Sequence, residues 1–144
     1  MRARSISVAI TLCLAVAGCA MPPSIPPELE TRPAYLTDAE KAAVQVSVRN
    51  VLKDPDAAKF GPIGAARFVR NDNSLLVCGW VNGRNSFGGY TGMQPFMGVL
   101  ESPQGAAPTF KTQLIGSKDS ERLAAIQLCG QQGVPLVGAG GYSL

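Results

Sequence analysis

The chain of 144 residues contains no histidine, and this absence alone removes much of enzyme chemistry. Imidazole is the side chain that changes charge near neutral pH, the usual general base and a common zinc ligand. Catalytic triads that pair serine or cysteine with histidine are therefore excluded. Charge is also scarce: 16% of residues are ionic, with 13 lysines and arginines against 10 acids. Arg2 and Arg4 lie in a segment read below as removed, which leaves 11 cations against 10 acids. A nucleic-acid partner would call for a basic face well in excess of that balance. No CxxC pair, no P-loop and no GxGxxG fingerprint occurs, so thiol-disulfide catalysis and the usual nucleotide cofactors have no signature, and no cofactor is expected. What the chain does have is 46% hydrophobic residues. That share is globular, and the length suits one domain rather than two.

The N-terminus carries the clearest pattern. Arg2 and Arg4 form a short positive region, and the fourteen residues from Ser5 to Gly18 are uncharged, with Ile6, Val8, Ile10, Leu12, Leu14 and Val16 as the apolar body. This is the pattern of a secretion signal. A transmembrane helix needs about 18 apolar residues or more, and Pro22 and Pro23 follow closely. Val16-Ala17-Gly18-Cys19 resembles the lipobox of bacterial lipoproteins, in which a branched aliphatic and two small residues precede the cysteine that becomes the new first residue. The resemblance implies residues 1–18 as a signal peptide and Cys19 as the lipidation site, its thiol taking the diacylglycerol before cleavage. The alternative is an ordinary signal cleaved near Ala17 or Ala20, with Cys19 left as a thiol. In lipoproteins of double-membrane bacteria, aspartate after the lipidated cysteine retains the protein on the inner membrane. Here that residue is Ala20, which implies the outer membrane. Several acyl chains on one residue hold stably where a single chain does not, so the membrane is the first expected partner.

Between Met21 and Tyr35 stand Pro22, Pro23, Pro26, Pro27 and Pro33, interleaved with Ser24, Glu28, Glu30 and Thr31. Such a stretch favours polyproline II and reaches roughly 45 Å from Met21 to Tyr35 at 3.1 Å per residue, so residues 19–35 read as a spacer. A proline-rich recognition ligand is the competing reading.

The folded domain is expected over residues 36–144, as a small α+β fold with an N-terminal helix, about four antiparallel strands, a C-terminal helix and one disulfide. Thr37-Asp38-Ala39-Glu40 fits a capping box ahead of Val44, Val48, Val51 and Leu52, which recur at helical spacing; Asp54-Pro55 ends the helix near Lys53. Valine is only a modest helix former, so packing on a sheet must hold this helix. Two extended segments, Ala65 to Arg70 and Leu75 to Asn82, are joined by the turn formers Asn71-Asp72-Asn73-Ser74. The run Leu75 to Val81 is almost wholly apolar, as in a central strand covered on both faces. Further strands fall around Phe96 to Glu101 and Thr109 to Ile115, the latter alternating Phe110, Thr112 and Leu114 against Thr109, Lys111 and Gln113. Ser117 or Asp119 then caps a second helix with Leu123, Ile126 and Cys129 buried and Gly130 as its stop. Gln131 to Leu144 reads as a tail or one last short strand.

Of four cysteines, Cys13 leaves with the signal and Cys19 takes lipid, which leaves Cys78 and Cys129 in an oxidising compartment. A bridge between them is expected, and it would require the second helix to cover the strand face bearing Leu76, Cys78 and Trp80. Two separate buried thiols are the alternative. Two distant cysteines without histidine make no zinc site, so no metal is expected.

Gly83-Arg84-Asn85-Ser86-Phe87-Gly88-Gly89-Tyr90-Thr91-Gly92 is richer in glycine than a plain connection requires. It presents Arg84, Asn85, Ser86, Tyr90 and Thr91 as donors and acceptors beside Phe87, a set suited to gripping a peptide, a glycan or another protein. The competing reading is a long hairpin loop whose Phe87 and Tyr90 plug the core.

Val77-Cys78-Gly79-Trp80-Val81-Asn82, followed by Asn85 to Gly92 and Pro95-Phe96, resembles a block in small bacterial exported and prophage-associated proteins. Asp54-Pro55 with Ala58 and Phe60 matches its upstream partner, so the resemblance runs from about Val51 to Leu100. Trp80 departs from the block, which more often has a small or polar residue there. That family carries no assigned activity, and the resemblance implies one small α+β domain with a loop worth mutating.

Catalysis finds little support. The carboxylates Glu28, Asp38, Glu40, Asp54, Asp56, Asp72, Glu101 and Asp119 fall mostly at caps, turns or the spacer, and no spacing pairs two of them for glycoside hydrolysis. Ser86 as nucleophile would need a lysine base, and none is close in sequence. The favoured expectation is a tethered, non-catalytic binding or structural lipoprotein of the envelope, contacting a protein or peptidoglycan through the glycine loop. The alternative is an inhibitor of a secreted enzyme such as lysozyme, with Arg84 and Ser86 inserted into the cleft, by analogy of shape.

Overall fold

The computed structural model describes residues 29–137. The segment expected to be a signal, with Cys13, Cys19 and Ala20, most of the expected spacer and the end of the tail lie outside the described residues. The chain forms β1 (Thr31–Ala34), α1 (Asp38–Asn50), β2 (Lys59–Phe68), β3 (Asn71–Asn82), β4 (Gln94–Glu101), β5 (Thr109–Ile115) and α2 (Asp119–Gln131). The five strands make one antiparallel sheet in chain order. The α+β class is as expected, but the sheet has five strands rather than four, and a strand precedes the first helix. The extra strand is β1, whose Pro33 and charged Arg32 read as spacer; as a sheet edge it needs hydrogen bonds on one side only, which is where proline is tolerated.

β3 is buried without interruption from Ser74 to Val81 and divides the interior into two layers. Side chains alternate across a strand. Leu75, Val77 and Val81 therefore meet Val44 and Val48 of α1, with Phe96, Leu100 and Phe110 from β4 and β5 completing that layer. Leu76, Cys78 and Trp80 point the other way, against Cys129 of α2 and Val134 and Leu136 of the segment after it. The Cys78–Cys129 disulfide joins α2 to the sheet, so the second helix covers the face it was expected to cover. Val134 and Leu136 belong to no regular strand but are buried there, so this part of the tail is core. Gly79 is required by close approach, because a Cβ there would lie 2.7 Å from the Phe96 ring.

α1 begins as a capping box: the Thr37 hydroxyl accepts from the Glu40 amide, while the Glu40 carboxylate accepts from the Thr37 amide at 2.8 Å. Burial opposes the Glu40 charge, but the Thr37 amide, the Ser102 and Thr37 hydroxyls and the Arg67 guanidinium outweigh it and hold the carboxyl below its ordinary value.

Four local expectations are corrected. The β2–β3 turn is Val69-Arg70, and Asn71 to Ser74 form a bulge facing Arg67 and Phe68, where the Asn73 amide donates to Asn71 Oδ1 and Ser74 donates to Glu101. Neither Ser117 nor Asp119 caps α2; Lys118 takes the cap position and the Glu121 carboxylate accepts from its amide and from the Ser117 hydroxyl. Leu123 is exposed, and α2 buries only Ala125 and Cys129 fully. A bulge opposite Met97/Gly98 breaks the alternation of β5, so Ile115 rather than Leu114 joins the face of Phe110.

Candidate functional site: the loop between β3 and β4

Chain direction places this loop. The amide of Val69 at the β2–β3 turn donates to Glu30 at 2.8 Å, so the N-terminal segment enters the fold beside that turn. Past the bulge, β3 runs away from it from Leu75 to Asn82, a distance of about 23 Å at 3.3 Å per residue. The loop from Gly83 to Met93 is at the far end, next to the C-terminus of α1.

The loop is held by its own hydrogen bonds. Asn85 Oδ1 accepts from the amides of Phe87 and Gly89, both at 3.0 Å, while the Asn85 amide donates to Gly89 at 2.8 Å. The Thr91 amide donates to Gly83 at 3.1 Å, and Arg84 pairs with Tyr90 as a bridge, so the strands continue briefly into the loop. Gly88 has a φ of 81°, a conformation that only glycine adopts without strain. Asn85 is thus the organising residue of the loop, and a backbone bound this way pays little ordering entropy on meeting a partner.

Phe87, at the tip, is 97% exposed, and Tyr90 is 39% exposed. Neither plugs the core, contrary to the competing reading. Tyr90 has two cations near its ring, with Lys59 Nζ 4.3 Å and Arg84 Cζ 5.1 Å from its centroid. Arg84 also approaches Asp54 at 3.7 Å. Between the loop, the end of α1 and the end of β5 lies an open groove of about 530 Å³. Val51, Leu52 and Ile115 form its apolar part; Lys53, Arg84, Asn85, Ser86, Thr91, Gln94 and Ser117 supply polar groups, and Phe87 flanks it.

The structure therefore brings Arg84, Asn85, Ser86, Phe87 and Thr91 to one groove and leaves Tyr90 beside it as a stacking partner. Sequence reasoning missed Lys53, whose Nζ donates to Ser86 Oγ at 2.8 Å across 33 residues of chain. No local signal could have found it, because the contact depends on where α1 ends relative to the loop. Lysine and serine at this distance are a known catalytic pairing. Here, however, the bond is exposed, whereas a lysine base is activated by desolvation. The Phe87 and Gly89 amides, which would have to receive a developing oxyanion, already donate to Asn85. The arrangement suits binding better than acyl transfer.

Among the described residues no three His, Cys, Asp or Glu side chains are grouped to hold a metal ion, and no helix is long and apolar enough to cross a membrane. Compared with known protein families, curated proteins and solved structures, the chain matches none.

Proposed function

We propose that this protein is a bacterial outer-membrane lipoprotein, anchored through lipid on Cys19 and carrying a non-catalytic binding domain that works through the β3–β4 loop. The lipobox-like Val16 to Cys19 and the prolines after it support the anchor. One observation carries the binding role: Phe87 is 97% exposed on a loop whose backbone is internally hydrogen-bonded. An aromatic ring held in water by a pre-organised loop adds little to folding and is available to a partner. The position of the loop, at the end of the sheet away from the N-terminal segment, supports a partner that is not the anchoring membrane.

The anchor is tested by the intact mass of protein from the membrane fraction, beside a Cys19→Ser variant. A mass increment for acyl chains that the variant lacks is expected, and an unlipidated soluble wild type overturns the anchor. Cross-linked pull-downs from envelopes test the loop. Wild type should capture a partner that Phe87→Ala and Arg84→Ala lose, and identical capture by all three clears the loop of a binding role. The protruding loop also favours a second reading, inhibition of a secreted enzyme such as lysozyme, with Arg84, Ser86 and Phe87 entering the cleft. Lysozymes left fully active by micromolar protein remove it.

A further inference from the structure

We propose that the groove beside the β3–β4 loop binds peptidoglycan, with a sugar ring against Phe87 and a free carboxylate of a stem peptide on Lys53. The proposal rests on the binding-module reading and names its partner.

Charge is the first argument. Two cations, Lys53 and Arg84, line the groove and no acid does. Arg84 has Asp54 within 3.7 Å, whereas Lys53 belongs to no ion pair among the described residues. Its ammonium has three donors, and one of them goes to the neutral Ser86 hydroxyl at 2.8 Å. That bond aims the ammonium into the groove and leaves two donors for an anion. A carboxylate there would make charge-assisted hydrogen bonds, the stronger kind.

The neutral groups are the second argument. The Asn85 side-chain NH2, the Ser86 hydroxyl and the Gln94 side-chain oxygen, which the loop's own hydrogen bonds leave open, line the same groove, a set matched to the hydroxyl and acetamido groups of an amino-sugar polymer. Gln94 is already oriented by donating to the Thr91 hydroxyl at 3.1 Å. Phe87 supplies one flat apolar face, of the size of a pyranose ring, at the loop tip. A partner that carries sugar rings and short peptides with free carboxylates meets all of these groups at once.

Place is the third. Cys19 lies only ten residues before Leu29, where the described chain begins. The loop then projects about 23 Å beyond the bulge along β3, away from the entering segment. A lipid anchor at one end and the groove at the other set the domain to reach a polymer lying parallel to the membrane.

The test uses the full-length protein in detergent, co-sedimented with purified sacculi stripped of bound protein. Wild type should sediment, and Phe87→Ala and Lys53→Gln should each weaken binding by about tenfold, as loss of one anchoring contact does. Lys111→Gln, on the exposed side of β5, should sediment as wild type. Sacculi whose stem peptides have been removed by an amidase should bind wild type and Lys53→Gln equally weakly. Phe87 is exposed, so its variant folds, and the thermal unfolding of both variants serves as the check. Failure of wild type to sediment, or sedimentation of both variants at the wild-type level, overturns the peptidoglycan assignment. If loop-dependent cross-links then run to a protein instead, the binding-module reading stands without this partner. If they run to nothing, both readings fall.

Discussion

The two faces of the sheet are held by different means. On one, α1 carries a satisfied capping box and buries Val44 and Val48 completely against Leu75, Val77, Val81, Phe96, Leu100 and Phe110. Phe96 meets Phe60 and Phe110 edge to face, with ring centroids 6.3 and 6.4 Å apart. On the other, α2 has no side-chain N-cap and buries only Ala125 and Cys129, with Leu123 and Leu128 left exposed. Its packing area is small, and a disulfide takes the place of side-chain volume. A small domain can thus use apolar area on one face and a covalent link on the other, where a second full layer of buried side chains is missing.

The largest effect should come from removing the link. The disulfide closes a loop across 51 residues, and by chain-entropy reckoning its loss costs about 4 kcal/mol. A Cys78→Ser, Cys129→Ser double variant should show that loss in urea unfolding, and near-equal midpoints would mean that α2 packs better than its buried residues indicate. The comparison sharpens with a pair of helix truncations. Val48→Ala removes two methyl groups from a fully buried site and should cost about 2 kcal/mol. Leu123→Ala on the exposed side of α2 should stay within about 0.5 kcal/mol. Equal costs would break the contrast between the faces.

The start of α1 should show in the pH dependence. The folded protein holds the Glu40 carboxyl below its ordinary value, so in acid the unfolded chain takes up this proton first. The stability it contributes is therefore present above the ordinary glutamate value and is lost as pH falls through the lower, folded value. Glu40→Gln should flatten that part of the acid-unfolding curve, and Thr37→Ala should cost about 1 kcal/mol near neutral pH. The smallest effect belongs to the loop. Phe87→Ala should leave the unfolding midpoint within about 0.5 kcal/mol of wild type, because the ring is almost wholly exposed. A larger loss would place Phe87 in the fold rather than at a binding surface.

Several elements were legible because their signals are local. Thr37 with Glu40, the Val44–Val48 spacing of α1 and the apolar run of β3 each specify an element within a few residues, and each is found, although Val51, expected on the same face, lies past the helix end and is exposed. The pairing of Cys78 with Cys129 followed from counting cysteines once the expected signal and lipid anchor had claimed the other two, and the bridge is found. The misses have physical causes too. β1 hid behind Pro33 and Arg32 because an edge strand tolerates residues that a central strand does not. The hairpin turn was misplaced because Asn71, Asp72, Asn73 and Ser74 are as good at forming a bulge as a turn.

The same division runs through the candidate site. The glycine block, with Arg84, Asn85, Ser86 and Phe87, stood out by composition, since glycine and asparagine mark backbone that must turn sharply. That Asn85 organises the loop, that Phe87 stays in water while Tyr90 meets Lys59 and Arg84, and that Lys53 reaches Ser86 were decided only when α1 and the β3–β4 loop met at one end of the sheet. Local propensities act over a few bonds and can be read along the chain. Contacts between distant segments depend on register and packing, which exist only once the sheet has formed.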